Sequence, residues 1–198
     1  MFRVAAIGYQ IADSFDENIR LDKESLIKVL LLHDMGNILK FNLEATRKLG
    51  VSDDEIEAIK ITQQEYKLKY GTDDHIATEK IAEEIGVSEE VLKILKNMGS
   101  SKLEILTQLE FWEARIATYA DNRVDPHGVV TLAKRWSDIA VRYKNINHPL
   151  SNPDVVENRM KSSFALEEVV QQKCKIDLQS INNSSTEEYI SILQDIEI

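Results

Sequence analysis

The stretch LLLHDMGNILKF closes an apolar run, Leu30, Leu31 and Leu32, with His33 and Asp34 side by side. An ionisable pair at the edge of an apolar helix is costly to bury unless it is paired or bound to a metal. Neighbours on a helix point about 100° apart, so these two side chains can converge only on something seated beside the helix end. Neutral imidazole with carboxylate suits Mn, Fe, Zn, Co or Ni, with Mg less natural beside a nitrogen ligand. Two side chains do not make a site, and a third must come from elsewhere. Asp121, in ATYADNRV at the end of an apolar helical run, is the best candidate. Read alone, its commoner fate is an ion pair with Arg115 or Arg123.

The totals bound what such a site can serve. A chain of 198 residues with 43% hydrophobic content can bury a real core, and its 7 Gly and 3 Pro favour helices over a turn-rich β fold. A formal net charge of −10 argues against nonspecific binding to DNA, RNA or an anionic membrane. The single cysteine, Cys174, excludes an internal disulfide framework and a cysteine-based zinc cluster, and suits a reducing compartment. No apolar stretch approaches the ~20 residues of a membrane span. MFRVAAIGYQIADSF lacks a basic start and a small-residue cleavage site, so the expectation is a cytoplasmic protein without a signal peptide.

Helical spacing must supply the scaffold. Val4, Ile7, Ile11 and Phe15 predict a first helix running from almost the first residue, and DKESLIKVLLLHDM predicts a second. Residues 36 to 51 read as a looser connection with a short helical piece near Leu43–Leu49. Ser52 with Glu55 is a capping box, opening a helix to about Tyr70 that Gly71 stops. TDDHIATEKIAEEIG and SEEVLKILKNMG predict two more, ending before Gly86 and Gly99. KLEILTQLEFWEARIATYADNRV reads as one long helix, Pro126 and Gly128 as a turn, and TLAKRWSDIAVRY as a further helix. Asn152 before Pro153 is an N-cap with proline at the first helical position, and INNSS separates that helix from a terminal one, TEEYISILQDI. No strand pattern of useful length and no repeat appears. The expectation is an all-α bundle over 1–145 with a C-terminal helical extension, 146–198, packed on it.

RVAAIGYQIAD, LLHDMGNILKF, YGTDDHIATEKIAEEIGV and YADNRVDPHGVVTLAKRWSDIAVRY together resemble the HD-domain metal-dependent phosphohydrolases, from about Arg3 to Tyr143. The resemblance implies an HD-like helical bundle, a divalent metal held by His33, Asp34 and Asp121, and hydrolysis of a small phosphorylated metabolite, a nucleotide in the first instance. It also implies a catalytic role for Asp34 in orienting water. His75 matches a histidine that some relatives use for a second metal or for proton transfer, whereas near KNMGS the other histidine of two-metal relatives is missing. The family's first ligand would fall just before Met1, which leads to the expectation that the natural chain starts upstream with a histidine there.

Lys40, Arg115 and Arg123 lie near motif residues and are candidates to meet phosphate oxygens, the alternative being ion pairs with the acidic surface. His127 and His148, beside prolines, read as structural or solvent-facing. Trp112 and Trp136 read as core. Two rivals accompany the hydrolase reading: a degenerate HD fold that binds a nucleotide or partner without turnover, and a structural bundle with His33 and Asp34 satisfied by arginine. The sequence leaves homo-oligomerisation open.

Overall fold

Apolar residues at helical spacing produce α1 (Phe2–Asp13), which buries Val4, Ile7 and Ile11. No side chain caps its start. Asp22 caps α2 (Lys23–Leu32) by accepting from the amide of Ser25, and the helix buries Leu26, Val29 and Leu30 against α1. The computed structural model describes residues 1–48, 50–146 and 148–195, and of Ala45 the backbone only.

The connection after α2 is a 3-10 helix, Met35–Lys40, followed by α3 (Leu43–Lys48); Leu49, the end of the expected helical piece, lies outside the described residues. The Ser52–Glu55 capping box forms, opening α4 (Asp53–Tyr70). Gly71 ends it at φ 99°, a left-handed backbone that favours glycine. Then come α5 (Asp74–Glu84), capped by Asp73, and α6 (Glu89–Asn97), capped by Ser88.

The expected long helix through residues 102–124 is two: α7 (Leu103–Gln108) and α8 (Trp112–Asn122), broken at Leu109–Phe111. Arg115 explains how the break is tolerated. Its Nε donates to the carbonyl of Leu106 at 2.7 Å and its Nη2 to that of Thr107 at 3.3 Å, satisfying acceptors that the end of α7 leaves open. Both pieces pack on α10, and α8 alone also packs on α1 and α2. Apolar spacing continues through the break, so periodicity alone reads one helix.

Beyond α8, Val124–Asp125 and Gly128–Val129 pair as a two-stranded antiparallel hairpin around the Pro126–His127 turn. Then follow α9 (Leu132–Tyr143), α10 (Pro153–Gln171) with Asn152 as its cap, and α11 (Asn183–Gln194). Asn182 caps α11 with both Ser184 and Ser185 amides, so the helix starts earlier than TEEYISILQDI suggests. Leu166, Val170, Leu178, Ile181 and Leu193 share one apolar core with α1, α2 and α8. Backbone bonds from Asp16 to Lys173 and from Lys175 to Ser14, both 2.8 Å, tie the end of α1 to the segment after α10. The described chain is thus all-α apart from one short hairpin, and no helix among the described residues is long and apolar enough to cross a membrane.

Candidate functional site

The apolar residues of α2 bury the helix to its last turn, and His33 is its C-cap, only 8% exposed. Its Nδ1 lies 2.8 Å from the carbonyl of Leu30. A carbonyl can only accept, so Nδ1 carries a proton, and in the neutral ring Nε2 is left with a lone pair. Nε2 is buried and has no hydrogen-bond partner among the described residues. It faces two carboxylates, Asp34 Oδ2 and Asp121 Oδ1, each at 3.5 Å. Two carboxylate oxygens and one ring nitrogen are thus turned toward one point, where positive charge, including a proton on Nε2, is favoured. Burial pulls the pKa of His33 down, but the neighbouring carboxylates, Asp121 first and then Asp34, outweigh it and leave the ring above its ordinary value. Burial pushes Asp121 the other way, and His33, Arg135 and Lys40 together hold its carboxyl below the usual range.

A cavity of about 50 Å³ opens beside these groups, walled by His33, Asp34, Asp121, His75, Thr78 and Glu79, with Leu95, Met98 and Gly99 closing the far side. α5 supplies three of the polar walls, and its seat is built on Gly36. The Gly36 amide donates to Thr78 Oγ1 at 2.9 Å, and Thr78 Oγ1 donates to the carbonyl of Asp74 at 2.8 Å. A Cβ on Gly36 would lie 2.1 Å from the Asp74 oxygen, so only glycine permits this approach. Leu39 packs with Tyr70, Ala77 and Ile81 beneath, and Lys40 pairs with Asp74 at 2.6 Å. His75 therefore faces the same cavity as His33, Asp34 and Asp121.

Arg115 and Arg123 are elsewhere, and neither lines this cavity. Arg115 serves the α7–α8 break and stacks on Trp112, 4.3 Å from the ring centre. Arg123 is buried, donating to the carbonyls of Val130, Leu178 and Ile181 and to the hydroxyl of Tyr119. Both guanidinium groups are occupied by carbonyls, which corrects the phosphate-binding expectation for each and also removes them as ion partners of Asp121. Lys40 is half exposed and engaged with Asp74, and does not line the cavity. His148 accepts from the Leu150 amide and caps a turn; His127 is exposed on the hairpin. Trp136 is a core residue with its Nε1 donating to Ser163, whereas Trp112 is only partly buried and packs edge-on against Phe15 at the edge of the core.

Thr78 and Glu79 were not singled out by the sequence, although they follow His75 at three and four residues, the spacing that shares a helix face. Arg135, whose charge lowers the pKa of Asp121, was likewise not singled out. Among the described residues, no cluster of three or more His, Cys, Asp or Glu side chains is compact enough to hold a metal ion as it stands. No family model matches the chain, and comparison with curated proteins and with solved structures likewise finds no match.

Proposed function

We propose that the protein is a metal-dependent phosphohydrolase with an HD-like centre, acting on a small phosphorylated metabolite such as a nucleotide. The observation that carries the reading is the orphan Nε2 of His33 between two carboxylate oxygens at 3.5 Å. Ligands with 2.0–2.2 Å bonds around a tetrahedral ion lie roughly 3.3–3.6 Å apart, whereas a charge-assisted hydrogen bond draws its atoms to about 2.7–2.9 Å. The spacing suits an ion better than a proton. His33, Asp34 and Asp121 would hold it, and the bond from Nδ1 to Leu30 fixes the tautomer that a ligand needs.

A divalent ion there would supply charge to the phosphoryl oxygens and lower the pKa of water. The chain's own groups do the rest. Asp34, on the solvent side of His33, orients the attacking water by accepting its hydrogen. His75, on α5, lines the same cavity and delivers a proton to the leaving oxygen. Leu95 and Met98 keep bulk water from the inner wall.

The second reading is a fold that holds a nucleotide without turnover. It draws on the absence, among the described residues, of a compact three-ligand cluster. Elemental analysis of purified protein, then a screen of phosphomonoesters and nucleotides with Mn, Co, Ni and Mg, separates the two. Bound metal with turnover that Asp34→Ala abolishes supports the hydrolase. Nucleotide binding without turnover in every metal moves the assignment to the second reading, and neither metal nor ligand ends both.

A further inference from the structure

α10 folds back on α9, and the side chains between the two helices decide how closely they meet. α9 turns Trp136 inward, where its Nε1 donates to Ser163 Oγ of α10 at 2.8 Å. Beside it α9 carries only small residues, Ala133, Ser137 and Ala140, at the four- and three-residue steps that share one helix face. All three are exposed. Val156 and Met160 of α10 stand opposite, and the buried Trp136 and Leu150 form the floor. The small side chains leave an open groove of about 440 Å³, a volume within the range of small-ligand sites.

The wall is mostly apolar, and its polar groups are few. Glu157 is held by Lys161 at 2.6 Å, so its charge is matched within α10. Among the described residues, the hydroxyls of Ser137 and Ser151 make no hydrogen bond and Lys144, just past the end of α9, has no carboxylate. The groove thus offers two hydroxyls and one unmatched cation. Lys144 lies eleven residues along the helix from Ala133, about 16 Å at 1.5 Å per residue. An occupant that satisfies the groove brings an extended apolar body with one negatively charged acceptor at its end.

We infer that this groove binds a single-chain carboxylate, a medium-chain fatty acid, with its hydrocarbon along Ala133, Ala140, Val156 and Met160 and its head at Lys144. The groove shares no lining residue with the His33 cavity, so this second site stands whether or not the phosphohydrolase reading does.

The test titrates decanoate calorimetrically into the full chain, below its micelle concentration, beside decyltrimethylammonium, which has the same tail and the opposite charge. The chain's net charge of −10 favours the cation elsewhere on the surface, so a preference for decanoate reports Lys144. Decanoate should bind at least tenfold more tightly than the cation, and octanoate, two methylenes shorter, about tenfold more weakly than decanoate. Lys144→Glu should reverse the preference between the two heads. Ala140→Trp should abolish binding of both by filling the groove from an exposed position, with circular dichroism unchanged; Ala133→Phe takes its place if helicity falls. The inference is overturned if decanoate does not bind, if the two heads bind equally, or if Lys144→Glu keeps the wild-type preference. A wild-type dimer in sedimentation that Ala140→Trp splits also overturns it, because a second copy then fills the groove.

Discussion

The Nε2 atom of His33 lies 3.5 Å from Oδ1 of Asp121, with neither atom within ordinary hydrogen-bonding distance of the other. One comes from the end of α2 and the other from the last turn of α8, two helices packed side by side in the core. That gap is the feature on which the site turns.

A proton and a metal ion compete for the gap, and pH separates them. In metal-free protein the folded pKa of His33 is raised, so its protonation stabilises the fold fully below the unfolded value near 6.5. That contribution disappears as pH rises through the folded value. The melting-temperature difference between metal-free wild type and His33→Gln should therefore shrink as pH climbs through and beyond the mid-sixes. With Mn present the slope should reverse, because ligation needs the neutral ring and strengthens as protons leave. A metal-loaded difference that also falls with pH would count against the ion.

Asp34→Ala and Asp121→Ala should remove bound metal while far-UV circular dichroism stays near wild type, since the apolar faces of α2 and α8 remain buried. His75→Ala should keep the metal and lower kcat, by about 10²- to 10⁴-fold if it is the general acid. Metal loss in His75→Ala equal to that in Asp34→Ala would make His75 a ligand instead.

Gly36→Ala places a methyl 2.1 Å from the Asp74 carbonyl, which is backbone and cannot swing aside. α5 must shift, carrying His75 and Thr78 away from the site. Overpacking of this kind costs about 1–3 kcal/mol, so the melting temperature should fall and turnover with it. Gly50→Ala faces open space but has φ 88°, so it should lose stability with little effect on activity. Equal turnover in Gly36→Ala and wild type would show that α5 position is not critical.

Arg115→Met removes the donors that meet the Leu106 and Thr107 carbonyls at the α7–α8 break. Buried acceptors left open cost about 1–3 kcal/mol, and denaturant unfolding should report a loss of that order. Phosphate affinity and metal content should not change, because Arg115 does not line the cavity. A variant as stable as wild type would mean the break is held by packing alone.

The sequence by itself determined most of the helices and their ends. Ser52 with Glu55, Asn152 before Pro153, and Gly71, Gly86 and Gly99 act on their immediate neighbours, so local residue order suffices to read them. It also determined His33 and Asp34 as a pair in need of a partner, since an apolar run meeting two ionisable residues is visible along the chain. Tertiary structure decided which partner each charge found. Asp121 faces His33 because α8 packs on α2, while Arg115 and Arg123, nearer to it in sequence, reach carbonyls of α7 and of the segment after α10. The split of α7 from α8 was hidden for the same reason: Arg115 satisfies a helix end eight and nine residues back, a bond that apolar spacing does not encode. Burial and charge pairing are properties of three-dimensional neighbours, and only the packed chain assigns them.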